Sequence, residues 1–261
     1  MLFNCISCMT PLANGISLMM QTKTEFDESV MRLESKQRAE LQFWAEEIKN
    51  YVDWYQGRKR NLYRTLAPAE ADKVQAGQLH VSALVTWAKL HQRPKYLHDL
   101  QLGKDAFRGL KVLDVGSGPI PSATCFEGAD IYALDPLAEF YESIGYSRTP
   151  FPNVHYCEAN AEKMPFSSHF FDVVLSVNAI DHVDDFEQAA AEIIRVLKPG
   201  GKLAMHVHYH PATECEPLEL NDRRVRAAFS AVHGFAPVHR SQCSFTNDVL
   251  PPEEFVLWRN F

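Results

Sequence analysis

The sequence predicts an α/β fold: a doubly wound, mostly parallel sheet with helices on both faces and a helical cap at its N-terminal side. Three observations carry that expectation. Short apolar runs recur at Lys111–Val115, Ile131–Leu134, Phe171–Val177 and Lys202–Val207, each about the length of a strand buried on both faces. A helical pattern at Asp185–Leu197, with Ala189, Ile193, Ile194 and Leu197 on its apolar side, separates the last two. Turn residues punctuate the runs: Gly-Ser-Gly after the first, Asp-Pro after the second, Pro-Gly-Gly before the fourth. Short apolar strands alternating with helices form right-handed βαβ units, and the outcome is a Rossmann-like sheet.

The N-terminal third reads differently. From about Thr24 to Leu66 Glu, Lys, Gln, Arg and Ala are dense, and no proline occurs between Thr24 and Pro68. Leu41, Trp44, Ile48, Tyr51 and Tyr55 recur at three- and four-residue steps, giving one aromatic-rich helix face. A second helix is expected over Leu79–Leu90, ended by Pro94, and another over Asn221–Val232. The expected organisation is a leader at 1–23, a helical cap at 24–108, and a core with a C-terminal acceptor-side insertion at 109–261. The Arg-Lys-Arg run at 58–60 reads as a solvated helix end.

Length, charge and cysteine usage narrow the function classes. A chain of 261 residues is long enough to bury a full core without staples. With 26 basic and 33 acidic residues the net charge is −7, which argues against a partner held through phosphates. No stretch reaches ~18 uninterrupted apolar residues, so no membrane-spanning helix is expected. Six scattered cysteines do not make a disulfide framework, and Cys5-x-x-Cys8 has no second pair to complete a metal site. The first twenty residues lack the positive n-region of a secretory signal, so a cytoplasmic location is expected.

The strongest chemical signal is Val-Leu-Asp-Val-Gly-Ser-Gly at 112–118. A strand ends at Asp114, and Gly116 and Gly118 allow a tight turn and close backbone approach to a ligand. Pro119-Ile-Pro121 replaces the third glycine of a dinucleotide fingerprint, which points to a nucleoside without a pyrophosphate. The next apolar run ends at Asp135, whose carboxylate can accept bonds from ribose hydroxyls. Asp135 can equally cap the following helix, with Pro136 at its first position.

Downstream come Asn160-Ala161-Glu162-Lys163-Met164-Pro165-Phe166, Phe171-Asp172-Val173-Val174, Ile180-Asp181-His182-Val183 and Leu197-Lys198-Pro199-Gly200-Gly201. Taken in order with the glycine turn, these segments resemble the class I S-adenosylmethionine-dependent methyltransferases, in their type 11-like group. The resemblance covers about residues 109–207. It implies S-adenosylmethionine as cofactor, with Asp114, Gly116, Ser117 and Gly118 at its amino-acid end and Asp135 with Pro136 at its ribose. It implies Asn160 and Ala161 at the adenine, where the family often has Asp in place of Asn160, and Asn178 near the methionine moiety. Asp135-Pro-Leu-Ala138 with Tyr141 also resembles methyltransferases of sugar and glycan pathways.

The acceptor side is read from the residues. An alcohol nucleophile must lose a proton, and His182, just past the fourth run, suits that task. Asp181 is the neighbouring base, or the group that fixes an imidazole, and His208 is the third catalytic candidate. His206, His208 and His210 alternate along one strand face and precede Glu214, Cys215 and Glu216. Same-face strand residues stand ~7 Å apart. The expectation is therefore no metal, with the strand ending near Val207 and His208 and His210 lining an acceptor pocket. The function expected is methyl transfer to a small-molecule or saccharide acceptor, at oxygen, with the N-terminal helices and segment 208–225 closing over it. The alternatives are N- or C-methylation of a small metabolite, or a non-catalytic nucleoside-binding relative of the fold. Ser176–His182 lacks the Asn-Pro-Pro-aromatic string of base-amino methyltransferases, so no nucleic-acid partner is expected. Arg223, Arg224 and Arg226 form a small basic cluster suited to an acidic acceptor or to solvent.

Overall fold

The computed structural model describes residues 30–31, 33–63, 65–66, 78–213, 216–242 and 253–261. The expected leader at 1–23, Cys5 and Cys8, Glu214, Cys215 and Cys243 lie outside the described residues. Among the described residues no helix is long and apolar enough to cross a membrane.

Helix α1 spans Ser35–Tyr55, and the Gln37 side chain accepts from the Glu34 N–H at 3.1 Å to close its first turn. It stops at Tyr55, eleven residues short of the expected Leu66, because Gly57 turns the chain at φ 74°. Strands β1 (Asn61–Leu62) and β2 (Thr65–Leu66) then pair antiparallel. Helix α2 (Leu79–Trp87) passes through a π-helical turn at Ala88–Gln92 into α3 (Arg93–Leu100). Pro94 therefore does not end the helix as expected. It sits in the first turn of α3, where a missing N–H costs little, and the wide turn before it accommodates the ring.

The core sheet comprises β3 (Lys111–Val115), β4 (Asp130–Leu134), β5 (Val154–Cys157), β6 (Phe171–Val177), β7 (Leu197–Tyr209), β8 (Ala236–Gln242) and β9 (Glu254–Arg259). Its order is β5-β4-β3-β6-β7-β9-β8; the first five are parallel, and β9 runs antiparallel between β7 and β8. The chain winds outward from β3 through β4 to β5, then restarts at β6 on the other side of β3. The carboxyl ends of β3 and β6 are thus the switch point where such sheets bind ligands. Pro119 and Pro121 follow the glycine turn, and the β3–β4 connection carries only a 3₁₀ turn at Ser122–Cys125.

Helix α4 (Ala138–Ser143) follows β4; α5 (Phe186–Val196) is capped by the Asp185 side chain accepting from Gln188 N at 2.9 Å. Helix α6 is Asp222–Ala228, shorter than the expected Asn221–Val232, with the Asn221 side chain accepting from Arg224 N at 3.1 Å. Strand β7 runs through His208 to Tyr209 and does not end near Val207, because β9 pairs with it as far as Tyr209↔Glu254.

One sheet face packs Leu113, Val174, Leu203 and Met205 against Phe186 and Ile193 of α5 and Val225 of α6. The other packs Val112, Val173 and Leu175 against Tyr96 and Leu100 of α3 and Phe126. A third cluster joins Leu41, Ile48 and Tyr51 of α1 and Trp87 of α2 to Leu137 and Tyr141 beside β4. Most of a helix's stability in a protein comes from packing its apolar face, not from propensity. Burying Leu41, Ile48, Tyr51 and Trp54 at about 1.5–3 kcal/mol each is what fixes α1 to the sheet.

Candidate functional site

Gly116 and Gly118 adopt φ values of 70° and 63°, a region that L side chains avoid. The Gly116 and Ser117 N–H groups donate to Leu134 O at 2.9 and 3.1 Å, which ties the turn to the end of β4. A Cβ built on Gly116 would lie 2.3 Å from Ala179 Cβ, so the turn after β3 touches the loop after β6 without room for a side chain.

Asp114 closes β3 inside the protein. Tyr96 of α3 donates its hydroxyl to Asp114 Oδ1, while Asp114 Oδ2 is buried with no hydrogen-bond partner. Burial pushes the carboxyl up to about 7, against the opposing effect of the Tyr96 hydroxyl. An orphaned acceptor beside a positive-φ turn fits a cationic amine such as the α-amino group of a bound amino acid.

Asp135 is 4% exposed and already engaged. Its Oδ2 accepts from Gly118 N at 2.9 Å; its Oδ1 accepts from Leu137 N at 2.9 Å and Tyr141 Oη at 3.0 Å. The local capping role is therefore present, and it also clamps the glycine turn. A carboxylate offers about four lone-pair positions, so room for one further donor remains. Burial, and then the nearby Glu40 charge, raise its carboxyl to about 7. Pro136 is half-buried beside it, Asn160 and Asn178 are exposed and Ala161 is buried. Asn160 and Ala161 follow β5, and Asn178, at φ 53°, donates its N–H to His206 O at 2.8 Å directly after β6. All these positions share the carboxyl edge of the sheet.

The loop after β6 carries Asp181 and His182 in a 3₁₀ turn, Ile180–His182. Their side chains part. Asp181 is fully buried and its Oδ2 lies 3.1 Å from His210 Nε2. His182 is partly exposed, with Nδ1 3.9 Å from Glu40 Oε2 and Nε2 3.6 Å from Glu216 Oε1. Asp181 thus orients His210 and not the adjacent imidazole. His210 Nδ1 donates to Pro211 O at 2.6 Å, and the Asp181 carboxylate pushes the imidazole up to about 9.

The histidine run divides. The His206 ring stacks on Phe255 at 5.0 Å between centroids, and burial pushes it down to about 4. The His208 ring lies 4.4 Å from Phe255 and 4.5 Å from the His210 ring. Donor atoms of Asp181, His208, His210 and Glu216 all lie within 4.8 Å of one another.

Helix α1 crosses this edge. Lys36 Nζ donates to His182 O at 3.2 Å and pairs with Asp184; Trp44 Nε1 donates to Glu40 at 3.4 Å. Trp44 also lies 3.8 Å from where a Gly118 Cβ would be, and Tyr146 Oη donates to Trp44 O at 3.0 Å. Lys36, Glu40 and Trp44 repeat at four-residue steps, a signal present in the sequence but read there only for its apolar face. Tyr96, which holds Asp114, left no sequence signal of its role.

Residues 113–205 match the family described as "Methyltransferase domain". The demethylmenaquinone methyltransferase of Renibacterium salmoninarum is 33% identical over 108 residues, 41% of this chain and 44% of that protein. The ubiquinone/menaquinone biosynthesis C-methyltransferase UbiE of Vibrio parahaemolyticus is 42% identical over 62 residues, 24% of each chain. The chain therefore spans less than half the length of these curated relatives. Among solved structures, the YcgJ protein of Bacillus subtilis superposes with a TM-score of 0.50 at 16% identity, covering 65% of this chain and 97% of that one. Phosphoethanolamine N-methyltransferase 2 of Haemonchus contortus, solved with phosphomonomethylethanolamine and S-adenosylhomocysteine, gives a TM-score of 0.50 at 15% identity over 70% of this chain and 57% of that one. At such identities the likeness is one of fold.

Proposed function

We propose, from the class I S-adenosylmethionine-dependent methyltransferase domain that residues 113–205 form, that this chain methylates a small-molecule or saccharide acceptor at oxygen. The observation that carries the reading is the contact between the Gly116 turn and Ala179. It brings the cofactor-side carboxylates and the His182 loop to one sheet edge, under α1.

S-adenosylmethionine supplies a methyl group on a sulfonium, which an in-line nucleophile displaces. The chain's own residues supply binding and position, which account for much of the rate in such a transfer. Asp114 Oδ2 receives the amino group, and the Gly116–Gly118 backbone, with Ser117, lies along the methionine end. Asp135 gives its remaining acceptor position to a ribose hydroxyl, with Pro136 beside it. Asn160 and the Ala161 backbone meet the adenine, and Asn178 meets the methionine moiety. His182 takes the hydroxyl proton of the acceptor, and Glu40 and Glu216 stabilise the resulting imidazolium. Asp181 acts through His210 as a positioning residue, and His208 lines the acceptor side. Residues 24–108 act as the cap, with α1 excluding water from the transfer.

The quinone C-methyltransferases align with less than half of their length, so the choice of oxygen rests on this chain's own side chains. A base flanked by two carboxylates serves an acceptor that must lose a proton. The test couples calorimetry with S-adenosylhomocysteine to transfer of a labelled methyl group onto phenolic, sugar and quinol acceptors, with product structure by NMR. S-adenosylhomocysteine should bind, and the label should appear on oxygen. His182→Ala should lower turnover ~10²–10⁴-fold with cofactor affinity unchanged. Failure to bind S-adenosylhomocysteine overturns the cofactor; a carbon-methylated product overturns the acceptor atom; full turnover in the variant overturns the base.

A further inference from the structure

We propose that Asp181, His208, His210 and Glu216 form a binding site for one first-row divalent cation of the zinc, cobalt or iron class. The inference stands on the geometry of these four side chains, which also border the acceptor side of the proposed methyl transfer, and its test reads ion binding and not turnover.

Three separate elements converge. His208 is on β7 and His210 directly follows it, Asp181 is in the 3₁₀ turn after β6, and Glu216 follows in the segment after β7. The sequence argument against a metal considered three imidazoles along one strand, ~7 Å apart. The structure leaves His206 out of the group and brings in two carboxylates from other segments. Their donor atoms stand within 4.8 Å of one another. Four ligands in a tetrahedral site, each ~2.0–2.2 Å from the ion, stand ~3.3–3.6 Å apart. The widest pair must close by roughly 1.2–1.5 Å on ion binding, a side-chain adjustment for which Glu216, 23% exposed, has room.

Two further observations point to a ligand. Asp181 is fully buried, yet its Oδ1 has no hydrogen-bond partner, and neither has His208 Nε2. The latter lies 3.2 Å from Glu253 Oε2 but outside hydrogen-bond geometry. Buried carboxylate oxygens are otherwise satisfied by protein, water or an ion. Among the described residues no lysine or arginine pairs with Asp181, Glu216, Glu40 or Glu253. This side therefore holds a concentration of carboxylates that imidazoles face and no described lysine or arginine neutralises.

The surrounding shell is built for ligation. Pro211 O accepts from His210 Nδ1, which directs Nε2 at Asp181 and Glu216, 3.1 and 3.8 Å away. A backbone carbonyl holding the far ring nitrogen is the usual support of a metal-bound histidine. Phe255 stacks on His208 and fixes its plane. Two imidazole nitrogens with two carboxylates select a borderline first-row ion over magnesium or calcium, which prefer oxygen alone.

The experiment uses the full chain, stripped with chelator, then titrated with Zn²⁺ by calorimetry and with Co²⁺ by visible absorption. Metal content is measured after gel filtration. We expect one equivalent per chain and Co²⁺ bands of imidazole–carboxylate ligation. Glu216→Gln and His210→Ala should each weaken Zn²⁺ binding by at least ~10–100-fold, with circular dichroism and thermal unfolding showing a folded chain. Cys5→Ser/Cys8→Ser should bind as the unaltered chain does. Failure of the unaltered chain to bind either ion overturns the proposal. So does unchanged binding in the folded Glu216→Gln variant, whose partly exposed position makes misfolding the least concern. Loss of binding in the cysteine variant would place the ion elsewhere and also overturn it.

Discussion

Gly116→Ala tests whether the switch-point crevice is formed as described. The added methyl would stand 2.3 Å from Ala179 Cβ, well inside any real carbon–carbon contact, while Ala179 Cα is 3.6 Å away. Two costs follow. An L residue held at φ 70° loses ~1–2 kcal/mol. The clash forces the loop after β6 to move, which costs ~1–3 kcal/mol in a packed interior. Gly116→Ala should therefore lose ~2–5 kcal/mol in urea unfolding and lose affinity for S-adenosylhomocysteine. Adding Ala179→Gly removes the offending carbon and leaves only the ordinary 3.6 Å contact with the Cα. The double variant should regain the clash share, ~1–3 kcal/mol, and keep the backbone strain. It also carries ~0.5–1 kcal/mol for a new glycine. The coupling energy from the cycle reads the clash directly. A single variant as stable as the parent, or a pair whose effects simply add, would refute the contact between the two loops.

Two further outcomes follow from the buried carboxylates. Asp114 is raised from an ordinary 3.8 to about 7 by burial, so the folded chain binds a proton that the unfolded chain has released between those values. Its contribution is complete below the unfolded value and is lost as pH rises through the folded one; the span corresponds to ~4 kcal/mol at most. Thermal unfolding of the unliganded chain should fall from pH 4.5 toward about 7.5, as a rough working window for that titration, and Asp114→Asn should make the fall shallower, leaving the share of Asp135, which burial raises over the same range; an equally steep curve in the variant would remove Asp114 as a source. Asp135→Ala should weaken S-adenosylhomocysteine by ~1.5–3 kcal/mol in calorimetry, the cost of charge-assisted bonds. It should also lower stability, since Gly118 N, Leu137 N and Tyr141 Oη all lose their acceptor; unchanged affinity would take the ribose from Asp135.

Local pattern was sufficient for part of this protein. The four apolar runs became β3, β4, β6 and β7 because strands buried on both faces must be apolar throughout. The glycine turn and Asp135 were legible because positive φ and a strand-tip carboxylate are properties of one short segment. Other features had no such local mark. The two β-strands at the C-terminal end went unread, since β9 is inserted beside β7 by pairing across a long separation. Helix α1 ended at Tyr55 because Gly57 turned the chain, and the later helix continued through Pro94 because a π turn overrode propensity. Above all, the partner of Asp181 was not its neighbour His182 but His210, 29 residues away. Sequence alone determined which residues could carry chemistry at the carboxyl edge. Which carboxylate meets which imidazole was decided by the pairing of β6 with β7 and of β7 with β9, because side-chain contact depends on sheet register and not on spacing along the chain.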